Sequence, residues 1–399
     1  MTIFKSEKLS KFSYIFLVFT LLVFVLSFSF QNKFTVFALW GIALSACFAG
    51  AVNRKFRFHP AFIFPIIMFV ARFASFMFFP TAGITFRDFE HCLSLLIFPL
   101  LFSLFQLPKK HMDIFLILAF FALLINILFG YFFFIKEILW QGGHSFIEVI
   151  KNPKLYVYDF LIPPMFWHPS FLAVALSFII PLGCYLYFEK KISPVLWWIS
   201  LPFTLVFIFL TGARIGLVIS ILLLLLSLLY YIKKFSMIAK GVMLLTIVFA
   251  ILFAYFSPYS LTHDSPRKNM RTIAKNAISE SPVSGHGFSS MSYFIQSEEF
   301  AEKYGTEKGY KFSYFHNAFL DETVQFGAIG ATVFVLFLLV LIINAIYRKD
   351  YLLMAFLAIY LPFMYVESPF VSVKGIMPMM FWLCFLFNTQ RERLTLKKD

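Results

Sequence analysis

The stretch PVLWWISLPFTLVFIFLTGARIGLVISILLLLLSLLYYI, residues 194–232, is two apolar runs separated by the four-residue turn Thr211-Gly212-Ala213-Arg214. Each run, as a helix rising about 1.5 Å per residue, is long enough to cross a hydrocarbon core of about 30 Å. The turn is so short that the two helices must form a tight hairpin, with Arg214 held at its mouth.

The same pattern fills the 399-residue chain, of which 61% is hydrophobic, too much for a water-soluble globule. Apolar runs fall at 13–30, 34–52, 61–79, 90–107, 113–135, 167–188, 194–211, 214–232, 240–257, 318–346, 351–366 and 373–388. The expected fold is an all-α polytopic membrane protein of about twelve spans, forming a single integral membrane domain over residues 1–399. The 59 phenylalanines are read as lipid-facing filler. Cys47, Cys92, Cys184 and Cys384 all fall within expected spans, as small core hydrophobes.

The net charge of +14 would suggest nucleic acid in a soluble protein, but its distribution excludes that class here. Basic residues cluster in alternate connections: Lys5, Lys8 and Lys11; Arg54, Lys55 and Arg57; Lys109 and Lys110; Lys190 and Lys191; Lys233, Lys234 and Lys240; Arg348 and Lys349; and the tail. The opposite connections carry Lys33, Arg87, Arg214 and Lys374. By the positive-inside rule both termini are expected in the cytoplasm. The first run has no small-residue cleavage site after it and is read as an uncleaved span.

Two connections on the outer side are long, at about 136–166 and 258–317. The second is large enough to form a helical cap between spans nine and ten. Within it Asp264-Ser265-Pro266 starts a helix that Pro282 should stop, with Ser265 at the N-cap and Pro266 at the first helical position. Arg267, Arg271 and Lys275 then share one face, at i, i+4 and i+8. Like charges at this spacing repel, so the face suits either a bound anion or plain solvation.

Arg214 offers phosphate a planar fork of donors, or it snorkels to lipid headgroups. His316 opens the tenth span, where a neutral imidazole could take a proton from a sugar hydroxyl, or act only as an interfacial residue. Asn317 could cap the helix or orient that imidazole. Arg72 lies inside the third span and should face a cavity or a partner, as a phosphate or glycan contact. Ser284-Gly285-His286-Gly287 could present backbone N–H groups to an anion. Glu367 is a candidate sugar-binding or Arg-pairing carboxylate. No histidine cluster has metal-ligand spacing, so no metal or other cofactor is expected.

These pieces, over residues 165–345, resemble the O-antigen ligase and polymerase superfamily of bacterial membrane glycosyltransferases. Thr211-Gly212-Ala213-Arg214-Ile215-Gly216 is similar to its T-G-S-R-x-G turn. Arg267 with Pro282, Gly285 and Gly287 is similar to its R…P-x-x-G-x-G segment, and His316-Asn317-Ala318-Phe319-Leu320 to its H-N-x-x-L motif. Gly327 and Gly330 continue the spacing, and His168-Pro169-Ser170 is similar to the polar start of the sixth span. The chain departs from the pattern at Arg271, where Trp is frequent, at Gln325, where an acid is common, and at His286 inside the glycine pair.

The resemblance implies a GT-C-like, metal-independent, inverting transferase in the bacterial inner membrane, with its active site on the periplasmic side. Its donor would be a glycan on undecaprenyl pyrophosphate, and its acceptor lipid A–core (a ligase) or another glycan (a polymerase). Arg214 and Arg267 match the positions that hold the pyrophosphate, and His316 matches the proposed base. Arg271, Lys275, Asn317, Arg72, His168, Gly285 and Gly287 complete the candidate substrate contacts. The single dominant outer connection favours the ligase. A polysaccharide or lipid flippase is the rival from another class, and it would show repeated halves and midplane charges.

Overall fold

The computed structural model describes residues 7–30, 32–78, 86–145, 147–148, 168–234, 236–237, 240–241, 244, 265–291 and 314–394. Among these the regular elements are all helical and there is no strand. The main helices are α1 (Glu7–Leu26), α2 (Asn32–Asn53), α3 (Ile63–Phe78), α4 (Ser94–Ser103), α5 (Lys109–Phe133), α6 (Pro169–Ser177) and α7 (Ile179–Phe188). They are followed by α8 (Pro194–Leu210), α9 (Arg214–Tyr230), α10 (Ser265–Glu280), α11 (Ala318–Arg348), α12 (Tyr351–Val366) and α13 (Val373–Leu394).

Six stretches are long and apolar enough to cross a membrane: Glu7–Leu26, Lys33–Asn53, Pro60–Phe78, Lys109–Gln141, Pro169–Phe188 and Ala318–Arg348. Four apolar helices are shorter, among them both arms of the 194–232 hairpin and α12. The expected span at 240–257 lies almost wholly outside the described residues, as does most of the 136–166 connection.

Local chemistry explains the helix ends. Ser193 caps α8 by accepting from the Leu196 N–H at 3.2 Å, with Pro194 at the first helical position. α6 and α7 part at Phe178, because Pro181 has no N–H for the Ser177 carbonyl. α11 stops at Lys349, which adopts a left-handed φ of 51°, and Asp350 then caps α12. α2 exposes Phe37, Trp40 and Leu44, at 70%, 65% and 68%, on one apolar stripe that suits lipid tails rather than water. Cys92, Cys184 and Cys384 are buried as expected, whereas Cys47 is exposed.

The bundle has two chemically different ends. At one, the Tyr14 ring packs on His111 at 5.2 Å, Lys191 pairs with Asp113 at 2.7 Å, and Lys234 lies over Tyr231, itself stacked on Phe188. Tyr230 donates to the Lys349 carbonyl, Asp350 pairs with Arg393, and His59 packs on Phe387 at 4.3 Å. These contacts gather the described basic connections, the start of α1 and the end of α13. The opposite end carries the mouth of the α8–α9 hairpin, the start of α11 and the end of α12.

Candidate active site

The hairpin mouth is built from backbone-directed contacts. Thr211 Oγ1 donates to the Ile208 carbonyl at 2.6 Å, and Gly212 takes a φ of 67° that a side chain would resist. Ala213 then leads into α9, placing Arg214 in its first turn with an exposed side chain. A Cβ at Gly216 would lie 2.7 Å from the Ala173 Cβ, so the missing side chain lets α9 lie close against α6. Phe171 of α6 meets Phe363 of α12 edge-on at 5.1 Å. At their other ends α9 and α12 meet through the rings of Tyr230 and Tyr351, 5.0 Å apart. The two helices therefore run antiparallel, and Arg214 sits at the end of the bundle where α12 gives way to Glu367.

His316 stands at the same end, in the turn before α11. It adopts a left-handed φ of 52°, an uncommon state for a residue with a side chain, costing about 1 kcal/mol. Neighbouring contacts hold it there. The buried carboxylate of Asp321 accepts from the Phe315 N–H at 2.8 Å. Asn317 caps α11, accepting from Phe319 and Leu320 N–H groups at 3.0 Å each, and donates to the Tyr365 carbonyl at 3.0 Å. Its Nδ2 thereby fastens α11 to α12. Asn317→Ala should lower stability by about 2 kcal/mol, from the lost cap and the orphaned Tyr365 carbonyl. Thermal melting of the detergent-solubilised protein would read that loss, and an unchanged midpoint would refute it.

The His316 ring lies between two further groups. Its Nδ1 is 2.8 Å from Glu367 Oε2, and its centroid is 4.3 Å from that of Tyr314. Tyr314 donates its hydroxyl to the same oxygen at 3.2 Å. Glu367 is 1% exposed. The sequence suggested a sugar or an arginine as its partner; the structure places His316 and Tyr314 on it.

α10 buries Met270, Ile273, Ala274 and Ala277 against Phe315, Met291 and Val324. Its opposite face leaves Arg271 and Lys275 exposed, and the Arg271 guanidinium stands over the Tyr365 ring at 5.9 Å. Arg271 thus belongs to the His316 end of the bundle. Arg267 lies in the first turn of α10, and its side chain falls outside the described residues.

Three expectations are corrected or narrowed. Arg72 does face a partner: 2% exposed, it is ion-paired with Glu322 of α11, donates to the Met68 carbonyl at 3.1 Å, and lies between the rings of Phe326 and Phe370. A guanidinium enclosed in this way braces α3 against α11 beneath the site and is not presented to substrate. Gly285 and Gly287 do not form an anion nest. The N–H groups of His286 and Gly287 donate to the carbonyls of Val324 and Gln325 at 2.9 Å each, and that of Gly285 to Ser281 at 3.1 Å. Phe288 N–H is taken by Ser75 Oγ and Ser289 N–H by Gln325 Oε1. The segment is a splint beside a kink in α11 at Gly327, where φ is 59° and ψ is −155°. His168 caps α6 through its own ring, accepting from Ser170 N–H at 3.4 Å.

Among the described residues no group of three or more His, Cys, Asp or Glu side chains is placed to hold a metal ion. What the arrangement provides is a histidine held by a carboxylate, with exposed arginines on two other elements at the same end of the bundle.

The hairpin, α10, the glycine splint and the first part of α11 are also where the chain can be compared with known proteins. Residues 199–335 match the family model described as O-antigen ligase. Over these residues the chain is similar to that family. No curated protein matches the chain. The matched region carries Arg214, Arg267, Arg271, Lys275, Gly285, Gly287, His316 and Asn317. Glu367, Tyr365, Arg72 and His168 lie outside it.

Proposed function

We propose that the chain transfers a glycan from undecaprenyl pyrophosphate to an acceptor hydroxyl at the periplasmic face of the inner membrane, as an O-antigen ligase. The observation that carries this is His316, fixed by Glu367 at the same end of the bundle as Arg214 and opposite the basic connections. If those connections face the cytoplasm, as the positive-inside rule requires, the site faces the periplasm. The described helices are compatible with about twelve spans in one membrane domain, with 258–317 as the outer cap and the ninth span at 240–257.

In this reaction His316 removes the proton from the acceptor hydroxyl as its oxygen attacks the anomeric carbon on the face opposite the leaving group. The C1–O bond breaks with inversion and undecaprenyl pyrophosphate leaves with the electron pair. Arg214 and Arg267, assisted by Arg271 and Lys275, stabilise the charge that develops on it. The pyrophosphate linkage supplies the driving force, so no nucleotide is needed. The reaction as proposed uses no metal.

Arg214→Lys keeps the charge and loses the fork, so transfer should fall about tenfold to a hundredfold at unchanged protein level. An Arg214 that only snorkels to headgroups predicts full activity with Lys. The acceptor is settled by resolving surface glycan on gels and assaying the undecaprenyl-linked pool in a deletion strain with and without the gene. Long chains accumulating on undecaprenyl pyrophosphate, with none on lipid A–core, support the ligase. A single repeat unit capping the core replaces it with the polymerase reading.

A further inference from the structure

Glu367 lies beyond the family region, which ends at residue 335, yet its Oε2 stands 2.8 Å from His316 Nδ1. It follows the last turn of α12 in an extended conformation, with its N–H still given to the Phe363 carbonyl at 2.8 Å. Its carboxylate is thereby aimed back under α11. At 1% exposure such a charge persists only where donors surround it, and two of those donors are the Tyr314 hydroxyl and His316 Nδ1, both on Oε2.

A carboxylate oxygen only accepts hydrogen bonds, so the Nδ1 nitrogen must carry the ring proton. That fixes the tautomer: Nε2 holds the lone pair and is the nitrogen able to take a proton. When it does, the imidazolium that forms already lies against a negative charge, which stabilises the step without reorganisation. Tyr314 contributes a second donor to the same oxygen and its ring backs the imidazole, restricting rotation about χ2. Asn317 ties α11 to the carbonyl of Tyr365, two residues before Glu367, so the distance between the pair is set by a helix–helix clamp rather than by the two side chains alone.

We infer that Glu367 is the positioning residue for His316, selecting the tautomer with a basic Nε2 and balancing the charge of the protonated ring. The inference rests on the reading of His316 as the base, and the test separates the two. Full-length protein in nanodiscs, with nitrogen-15 in its eight histidines, would be assayed with undecaprenyl-pyrophosphate-linked glycan and lipid A–core, and its histidine nitrogens recorded by NMR. The resonances lost in His316→Ala assign that ring. Wild type should show His316 with the proton on Nδ1. Glu367→Gln, close in size, should give a mixture of tautomers, a kcat lower by about a hundredfold to a thousandfold and a KM within about threefold. Glu367→Asp should recover part of kcat. A wild-type ring protonated on Nε2, or a Glu367→Gln enzyme with unchanged kcat, would overturn the inference while leaving the base assignment standing. Full activity in His316→Ala would instead remove the base, whatever the tautomer. Because the wild-type tautomer needs no Glu367 variant, the test survives even if Glu367→Gln does not accumulate.

Discussion

Replacing His316 with alanine should reduce glycan transfer by about 10²- to 10⁴-fold, the range lost with a general base, while the protein stays in the membrane. The substitution has two consequences that must be separated. It removes the imidazole, and it puts Ala at a φ of 52°, where a β-carbon costs about 1 kcal/mol without any side-chain compensation. Asparagine tolerates the left-handed region nearly as well as any residue with a side chain, and it has no basic nitrogen. His316→Asn should therefore match wild type in thermal midpoint more closely than His316→Ala, and both should be equally inactive. The measurements are transfer kinetics with purified protein, immunoblotting of membranes and melting in detergent. A stable His316→Asn protein transferring glycan within threefold of wild type would take His316 out of the mechanism. It would also strengthen the flippase alternative, in which a histidine at the bundle end carries no chemistry.

The sequence disclosed helices better than partnerships. A capping residue sits where the chain changes direction, so the start of α11 was legible at Asn317 from local composition, and α10 begins at Ser265, within a residue of the expected start. Span length was less legible. Hydropathy does not register Pro181 or the left-handed Lys349, each of which ends a helix inside or beside an apolar run. The site was legible as a set of residue types on one side of the bundle. Their partners were not, because pairing is a three-dimensional property. Arg72 and Glu322 are 250 positions apart, and Glu367 lies 51 positions beyond His316 across a whole helical hairpin. One signal was available. A carboxylate in a short connection between two apolar runs, on the same side as a candidate base, is costly unless paired. The glycines of 285–287 misled for a related reason: positive φ marks a position needing glycine, and it does not say whether the N–H groups that follow meet a ligand or the protein's own carbonyls.

Gly327→Ala should prevent the protein from accumulating in folded form, the largest stability effect expected from any one methyl group in the site. An uninterrupted α11 would join the Val324 carbonyl to the Ala328 N–H and the Gln325 carbonyl to the Ile329 N–H. The kink releases these four groups inside the protein, where an unmet backbone group is costly. Residues 282–287 take them all up: Pro282 and Val283 carbonyls accept from Ala328 and Ile329, while His286 and Gly287 donate to Val324 and Gln325. The two backbones consequently lie so close that a Cβ at Gly327 would fall 2.2 Å from the Val283 oxygen and 2.7 Å from the Gly285 nitrogen. Neither is the end of a flexible side chain, so relief requires separating the segments and breaking the exchange of bonds, in addition to the strain of φ 59°. A cost above about 4 kcal/mol follows, a large part of the stability of most domains. Fluorescence-detected size exclusion should show loss of the monodisperse peak. Gly41→Ala is the control. It lies within α2, has no left-handed φ, and a Cβ there would meet only Thr20 Cγ2 at 3.5 Å and Thr20 Cβ at 3.8 Å, ordinary van der Waals contact. It should retain the peak. Equal behaviour of the two variants would mean that the splint does not brace α11. The position of the His316 turn would then have to depend on Asp321 and Asn317 alone.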